Sequence, residues 1–397
     1  MATLLPFRAL RPPAGRALAV AAPPYDVINT DEARALARGN PDSFLHVSRP
    51  EIDLAPGTDE HAEEVYTQGA RALADLRRRG VLLQDATPHF YVYAQRMGEH
   101  RQTGLVGCAA VADYLSGAIK KHENTRPDKE DDRTRHIDAL SAHDEPVFLI
   151  YRAVREIDAQ IEAVKRAPPE YDLTTADGVE HKLWAAPPGI NAVFPALYVA
   201  DGHHRTAAAA RVAALRKGKP GDQGIFPAVA FPHDQVQILA YNRVVRDRKK
   251  RGAEAILAEL RKGMDVEPAD SPQPEAPLSF GVYLGGRWWR ARARAGSYDA
   301  RDPVASLDCS IAQEQIFSRI FGIDDQRRDK DVDFVGGIRG AAELQKRVDS
   351  GAWSMALHLF PTQVEQLIAV SDAGQLMPPK STWFEPKLRS GLFVHAF

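Results

Sequence analysis

The chain has 397 residues, 44% of them hydrophobic and 26% charged, with a formal net charge of -2. That length allows two or three domains around a substantial core, and that balance excludes bulk nucleic-acid binding and a disordered acidic tail. Cys108 and Cys309 lie far apart without metal-type spacing, which excludes a disulfide framework, and no apolar run reaches the ~20 residues of a membrane helix.

From the start, Met1–Ala22 carries Arg8, Arg11 and Arg16 among prolines and lacks the apolar core of a signal peptide, so the cytoplasm is the expected compartment. Pro23–Val27 leads into a helix capped by Asn29 or Thr30 and ending near Gly39. Ser43–Val47 reads as a strand. Asp59–Arg79 alternates apolar and charged residues at helical spacing and is closed by Gly80. Phe90–Gln95 and Thr103–Val111 predict a β-hairpin across Met97–Gln102.

Ile119–His136 is almost purely polar and reads as a solvated face or as a functional loop. Its content favours function. His122, Glu123, Lys129, Arg133, Arg135 and His136 form a full acid–base and anion-binding set between two strand candidates, Thr103–Val111 and Pro146–Tyr151. The expectation is that His122–His136 folds over the turn described next.

That turn organises the chain. Ala196–Ala200 is a short strand candidate, and Thr206–Leu215 is an Ala-rich run of high helix propensity ended by Gly218 and Pro220. Between them lie only Asp201, Gly202, His203, His204 and Arg205. A strand turning directly into a helix aims unpaired N–H groups and a positive dipole end at the turn. Gly202 permits close backbone approach, and Arg205 supplies a planar fork for oxyanions. The physical reading is an anion site, most naturally for phosphate. The plainer reading makes Asp201 an N-cap, Gly202 a turn residue and the histidines solvated; five such residues in succession favour the site. A structural zinc site on His203-His204 is disfavoured because adjacent side chains diverge and cysteine is nearly absent.

Further on, a hairpin is predicted around Asp177-Gly178, and strands over Phe226–Phe231 and Val236–Val245. A soft domain boundary falls near 250, giving regions 1–250 and 251–397. Glu267–Pro277 reads as a Pro-rich linker. The C-terminal part mixes strands (Ser279–Leu284, Trp288–Arg294, Ala352–Phe360) with helices (Ile311–Phe321, Ala341–Val348, Thr362–Val370). Lys380-Ser381-Thr382 echoes the end of a P-loop, but Pro378-Pro379 stands where a Gly-rich stretch is required, so a Walker A loop is rejected. These three residues, with Lys387 and Arg389, either line an anionic pocket in trans to the central site or belong to an ordered tail packed by Trp383 and Phe384.

Taken in order, NPDSFLHVSRPE, KKHENTRPDKEDDRTRH, DGHHR, YNRVV, DFVGG and PPKSTWFEPKLRSGL make the chain resemble, along its whole length, a prokaryotic domain-of-unknown-function family marked by an Asp-Gly-His-His-Arg signature. The signature is similar to the Asp-Gly-His-Arg loop of ParB/sulfiredoxin-like free-serine kinases, and a pyrophosphate-dependent serine kinase is placed in the family itself. The resemblance implies an α+β fold: a ParB/sulfiredoxin-like mixed-sheet core with large insertions, and a C-terminal α+β extension that completes the site. It implies phosphoryl transfer from ATP, ADP or pyrophosphate to the hydroxyl of free L-serine or a similar small acceptor. Asp201 would hold Mg²⁺, and Gly202, Arg205, Thr206 and one or both of His203 and His204 would bind phosphate. Glu123 would be the base, with Glu130, Asp132 and Asp26 as substitutes. Lys129, Arg133, Lys380, Ser381 and Thr382 are further anion-binding candidates. Two other classes stay open: a nucleotide-binding ParB-like regulator, and a phosphoester hydrolase using the same anion site. No membrane or nucleic-acid partner is expected, and a homodimer is compatible with the sequence.

Overall fold

The computed structural model describes residues 1–397 and is a mixed α+β protein. The chain forms two compact units: residues 1–121, 125–236 and 386–397 in the first, and 122–124 with 237–385 in the second. No helix is long and apolar enough to cross a membrane.

The first unit is built on a ten-stranded mixed sheet. Its strands are β1 (Ala2–Leu5), β2 (Phe90–Met97), β3 (His100–Ala110), β4 (Ile119–Lys120), β5 (Val147–Tyr151), β6 (Tyr171–Thr174), β7 (Glu180–Ala186), β8 (Val193–Phe194), β9 (Leu197–Asp201) and β10 (Ile225–Pro232). The order is β4-β9-β5-β10-β3-β2-β7-β6, with β1 pairing β3 and β8. β9 runs parallel to β4 and antiparallel to β5, and β10 runs parallel to β5. The strands form where β-branched and aromatic residues concentrate; β5, Val-Phe-Leu-Ile-Tyr, is buried along its whole length, as a strand covered on both faces must be. β2 and β3 form the expected hairpin, and β6 and β7 the one around Asp177-Gly178.

Three helices matter for the site: α1 (Glu63–Arg78), α2 (Pro127–Leu140) and α3 (His203–Leu215). α3 follows β9 after Gly202 alone, and its alanines Ala207, Ala208 and Ala209 are buried. α2 lies along α3, held by Ile137 against Ala208 and Val212 and by the ion pairs Arg211–Asp131 (2.5 Å) and Arg216–Asp138 (2.6 Å).

Three local expectations change. Leu45–Ser48 is a helical turn, not a strand, because Phe44, Leu45 and Val47 all turn into one apolar cluster with Leu73 and Leu76 of α1. The polar segment is not a loop beyond Arg126. Pro127 opens α2 at a position that needs no N–H donor, and Ser141 closes it in the left-handed conformation. Glu267–Pro277 is not wholly a linker, since Met264–Pro268 pairs as an edge strand with Arg287–Ala293.

The second unit is centred on a six-stranded antiparallel sheet in the order Met264–Pro268, Arg287–Ala293, Ser279–Leu284, Met355–Leu359, Tyr241–Val245, Val332–Gly336. Its core gathers Phe280, Val282, Trp289, Ile316 and Phe317 with Leu357.

Candidate functional site

The site grows from the crossover between β9 and α3. β9 delivers Asp201 at its last position, and the chain turns at Gly202 with φ 96°. Only glycine adopts that angle freely, and a Cβ there would also lie 3.0–3.2 Å from the Arg205 guanidinium. Gly202→Ala is therefore expected to destabilise the protein by about 1–3 kcal/mol, read as a shifted urea midpoint at unchanged slope. A wild-type midpoint would show that the turn tolerates a side chain.

No side chain caps α3. The Gly202 carbonyl accepts from the Thr206 N–H (2.9 Å) and the Thr206 hydroxyl (3.0 Å), so buried Thr206 locks the turn. The N–H groups of the first helical turn have no acceptor within the helix, and they sit at its positive end.

Asp201 is held from three sides. Its Oδ1 accepts from the Gly202 N–H at 3.0 Å; its Oδ2 is 3.2 Å from the Lys387 ammonium and 3.7 Å from the Arg205 guanidinium. Burial pushes this carboxyl up, but Lys387 and Arg205 outweigh it and hold Asp201 well below the usual carboxylate range. A quarter of its side chain remains open to solvent. Lys387 comes from 186 residues further along the chain, within the final segment that returns to the first unit.

Arg205 is buried and bridges inward. Its Nη1 donates to the Pro146 carbonyl and lies 3.7 Å from Glu145 Oε2. Glu145 Oε1 accepts from the Tyr25 N–H (3.0 Å) and the Ser390 hydroxyl (2.9 Å). Burial pushes Glu145 up to about 7, against the opposing pull of Arg205. Sequence reasoning does not single out Glu145, and it names Lys387 among the residues of an anionic pocket in trans to this turn. The only local signal for Glu145 is Asp144-Glu145 beside an apolar strand.

Of the other sequence candidates in the first unit, His204 accepts the Arg126 N–H on Nε2 (3.1 Å). His203 is half-buried at the start of α3. Arg133 is buried, ion-paired with Asp132 at 2.8 Å and stacked over Tyr25 at 4.0 Å. Asp132 also accepts from Tyr66 (2.9 Å) and faces His61 (3.0 Å); burial raises it, but these partners bring it down to about 2. Lys129 and Arg133 line a cavity of about 30 Å³ with Tyr25, Arg49 and His136. Glu130 accepts from Thr125 and faces Arg211 at 3.6 Å. Within the first unit, α2 of this segment lies along α3.

Glu123, Lys380, Ser381 and Thr382 belong to the second unit. There the His122 carbonyl accepts from the Met377 N–H (2.7 Å), and Thr382 Oγ1 lies 3.3 Å from His122 Nε2. Ser381 donates to the Pro378 carbonyl (2.6 Å), and Lys380 is exposed with its ammonium 5.7 Å from the Tyr241 ring centre. Buried Arg243 donates to the carbonyls of Pro379 (3.3 Å) and Lys380 (3.0 Å) and so pins this loop.

Taken together, the turn offers an oriented helix end, an ionised carboxylate, an ammonium and a guanidinium, an arrangement suited to positioning a phosphate. A family model described as a protein of unknown function, DUF1015, matches residues 4–310. No curated protein matches the chain. Among solved structures, similarity extends to a free serine kinase in complex with AMP at 12% identity, covering 73% of this chain and 92% of that one, TM-score 0.38. A conserved hypothetical protein from Pyrococcus furiosus shares 12% identity over 74% and 95% of the two chains, TM-score 0.38. SbnI with C-terminal truncation from Staphylococcus aureus shares 14% identity over 73% and 87%, TM-score 0.42.

Proposed function

This chain belongs to the DUF1015 family of proteins of unknown function, and from that membership and the site itself we propose that it is a phosphotransferase acting on a small hydroxyl acceptor. The structural likenesses are too loose to carry this assignment; the site carries it. The deciding observation is Asp201, ionised between Lys387 and Arg205 at the open N-terminal end of α3. The Asp-Gly-His-His-Arg turn between β9 and α3 likewise supports a ParB/sulfiredoxin-like reading of the first unit.

Phosphoryl transfer asks the protein for position and charge rather than covalent chemistry. In this reading the N–H groups opening α3, with His203 and His204, receive the phosphate, and Lys387 and Arg205 neutralise it. Free L-serine is the favoured acceptor and ATP, ADP or pyrophosphate the donor. Lys129, Arg133, Lys380, Ser381 and Thr382 are the groups proposed to supply further anion contacts.

A single carboxylate already set between two cations is a poor site for a free divalent ion. Asp201 would instead suit Mg²⁺ arriving on a donor's phosphates, whose oxygens would supply further hard ligands. Bound there, the ion would supply charge neutralisation to phosphate oxygens. Calorimetry with Mg²⁺ alone is expected to show no binding.

The assay is purified protein with Mg²⁺ and serine, given ATP, ADP and pyrophosphate in turn, with O-phosphoserine and free phosphate read separately. O-phosphoserine supports the proposal. Free phosphate without it would assign a hydrolase, and donor binding without turnover a nucleotide-responsive regulator. Glu123 keeps the base role that the family resemblance implies, so Glu123→Gln is expected to lower turnover by roughly 10²–10⁴-fold with little change in donor affinity. An unchanged turnover would move the base to Glu130, Asp132 or Asp26.

A further inference from the structure

Glu145 is a buried carboxyl whose Oε1 is fully occupied, by the Tyr25 N–H and Ser390, while its Oε2 has no hydrogen-bond partner and faces Arg205 at 3.7 Å. Arg205 is the same guanidinium that stands 3.7 Å from Asp201 at the anion-binding turn. Glu145 and Arg205 line a tight cavity of about 10 Å³ together with Arg133, His143 and Asp144. Resting on the phosphate-site reading above, we infer that Glu145 is the positioning residue of that site: Glu145 and the bound anion compete for Arg205, so anion binding is linked to proton uptake by Glu145.

The charges around Glu145 set the sign. Arg205 and, more distantly, Arg133 favour its ionised form; Asp144 and Asp26 oppose it, and burial opposes it most. His143 stays neutral because burial and His395 both disfavour its charge. With Glu145 poised near 7, an anion drawing Arg205 toward the turn strips Glu145 of its counter-cation and raises its proton affinity. Conversely, ionised Glu145 draws Arg205 inward and adds a negative charge behind the site. Both effects weaken anion binding as pH rises through neutrality.

Sulfate is the probe, because it does not itself titrate in this range. In the wild-type protein its affinity is expected to fall about three- to tenfold between about pH 6 and about pH 8, approaching one proton taken up per anion. Glu145→Gln is expected to bind sulfate with that pH dependence removed. Ser390→Ala removes a hydrogen bond that favours the ionised carboxylate, so it should move the transition to higher pH while leaving the fold intact. A residue that merely packs would alter stability and leave the pH profile in place. Sulfate binding whose pH dependence survives in Glu145→Gln, or fails to move in Ser390→Ala, overturns the role of Glu145 alone. Absence of sulfate binding even at about pH 6 overturns the phosphate-site reading together with it.

Discussion

Asp201→Asn is expected to lower phosphoryl transfer by about 10²–10³-fold, the scale on which one preorganised electrostatic contact is felt in an active site. The substitution is nearly isosteric, and the amide oxygen can still accept the Gly202 N–H. What it removes is the charge. Lys387 and Arg205, now 3.2 and 3.7 Å from the carboxylate, would be left facing an amide. They would repel one another and leave the positions from which they neutralise phosphate. The same loss should cost about 1–3 kcal/mol of stability, since Arg205 is buried and loses one of the carboxylates that offset its charge, keeping Glu145 and Asp26. Adding Lys387→Met makes a double-mutant cycle. If the pair acts as one unit, the double variant should be little worse than either single one. Full activity in Asp201→Asn would remove this residue from the chemistry altogether.

Acidification is expected to destabilise the first unit steeply from about pH 6.5 downward, before exposed carboxylates begin to titrate. His143, His181 and His395 are buried, and burial pushes them down to about 3, about 3 and about 4. Nε2 of His143 and Nδ1 of His395 have no hydrogen-bond partner to stabilise a proton. His181 Nε2 accepts from Arg389 at 3.2 Å, which fixes a neutral ring. An unfolded chain protonates all three near pH 6.5, so between there and about pH 4 it binds three protons that the native state refuses, and stability falls with pH. Glu145 opposes this with one proton, because its raised native value means that the unfolded chain, not the native one, releases a proton in the same window. The net is two protons, or about 2.7 kcal/mol per pH unit. Two units consume about 5 kcal/mol, comparable with the whole stability of many domains. At still lower pH, Asp132 and Asp201, held low by their cationic partners, add losses of the same sign as they protonate. Urea unfolding at a series of pH values measures the slope, and His395→Gln should reduce it by about 1.4 kcal/mol per unit. A flat profile between about pH 7 and about pH 5 would show that these rings are protonated or exposed in the native protein.

The sequence by itself determined the features whose causes lie within a few residues. The hairpin of Phe90–Met97 with His100–Ala110 follows from two β-prone runs around a short polar turn. The second hairpin follows from Asp177-Gly178, and the strand–Gly202–helix turn from a permissive glycine between an apolar run and an alanine-rich one. Each is a local backbone preference, and neighbouring residues suffice to set it. The tertiary structure alone decided the rest. Ser43-Phe44-Leu45-His46-Val47 is too short to show a period, and only the apolar cluster it enters made it helical. Pro127–Leu140 carries too little apolar patterning to announce a buried helix; Asp132, Arg133, Thr134 and His136 are inside because partners from Tyr25, His61, Tyr66 and Asp144 meet them there. Glu145 became a candidate for the same reason, through Arg205 above it and Ser390 from 245 residues away. Charge pairing of that kind depends on which strands the topology sets side by side. No local preference encodes it, so Asp201 and Lys387 could each be read from the chain as candidates while their pairing could not.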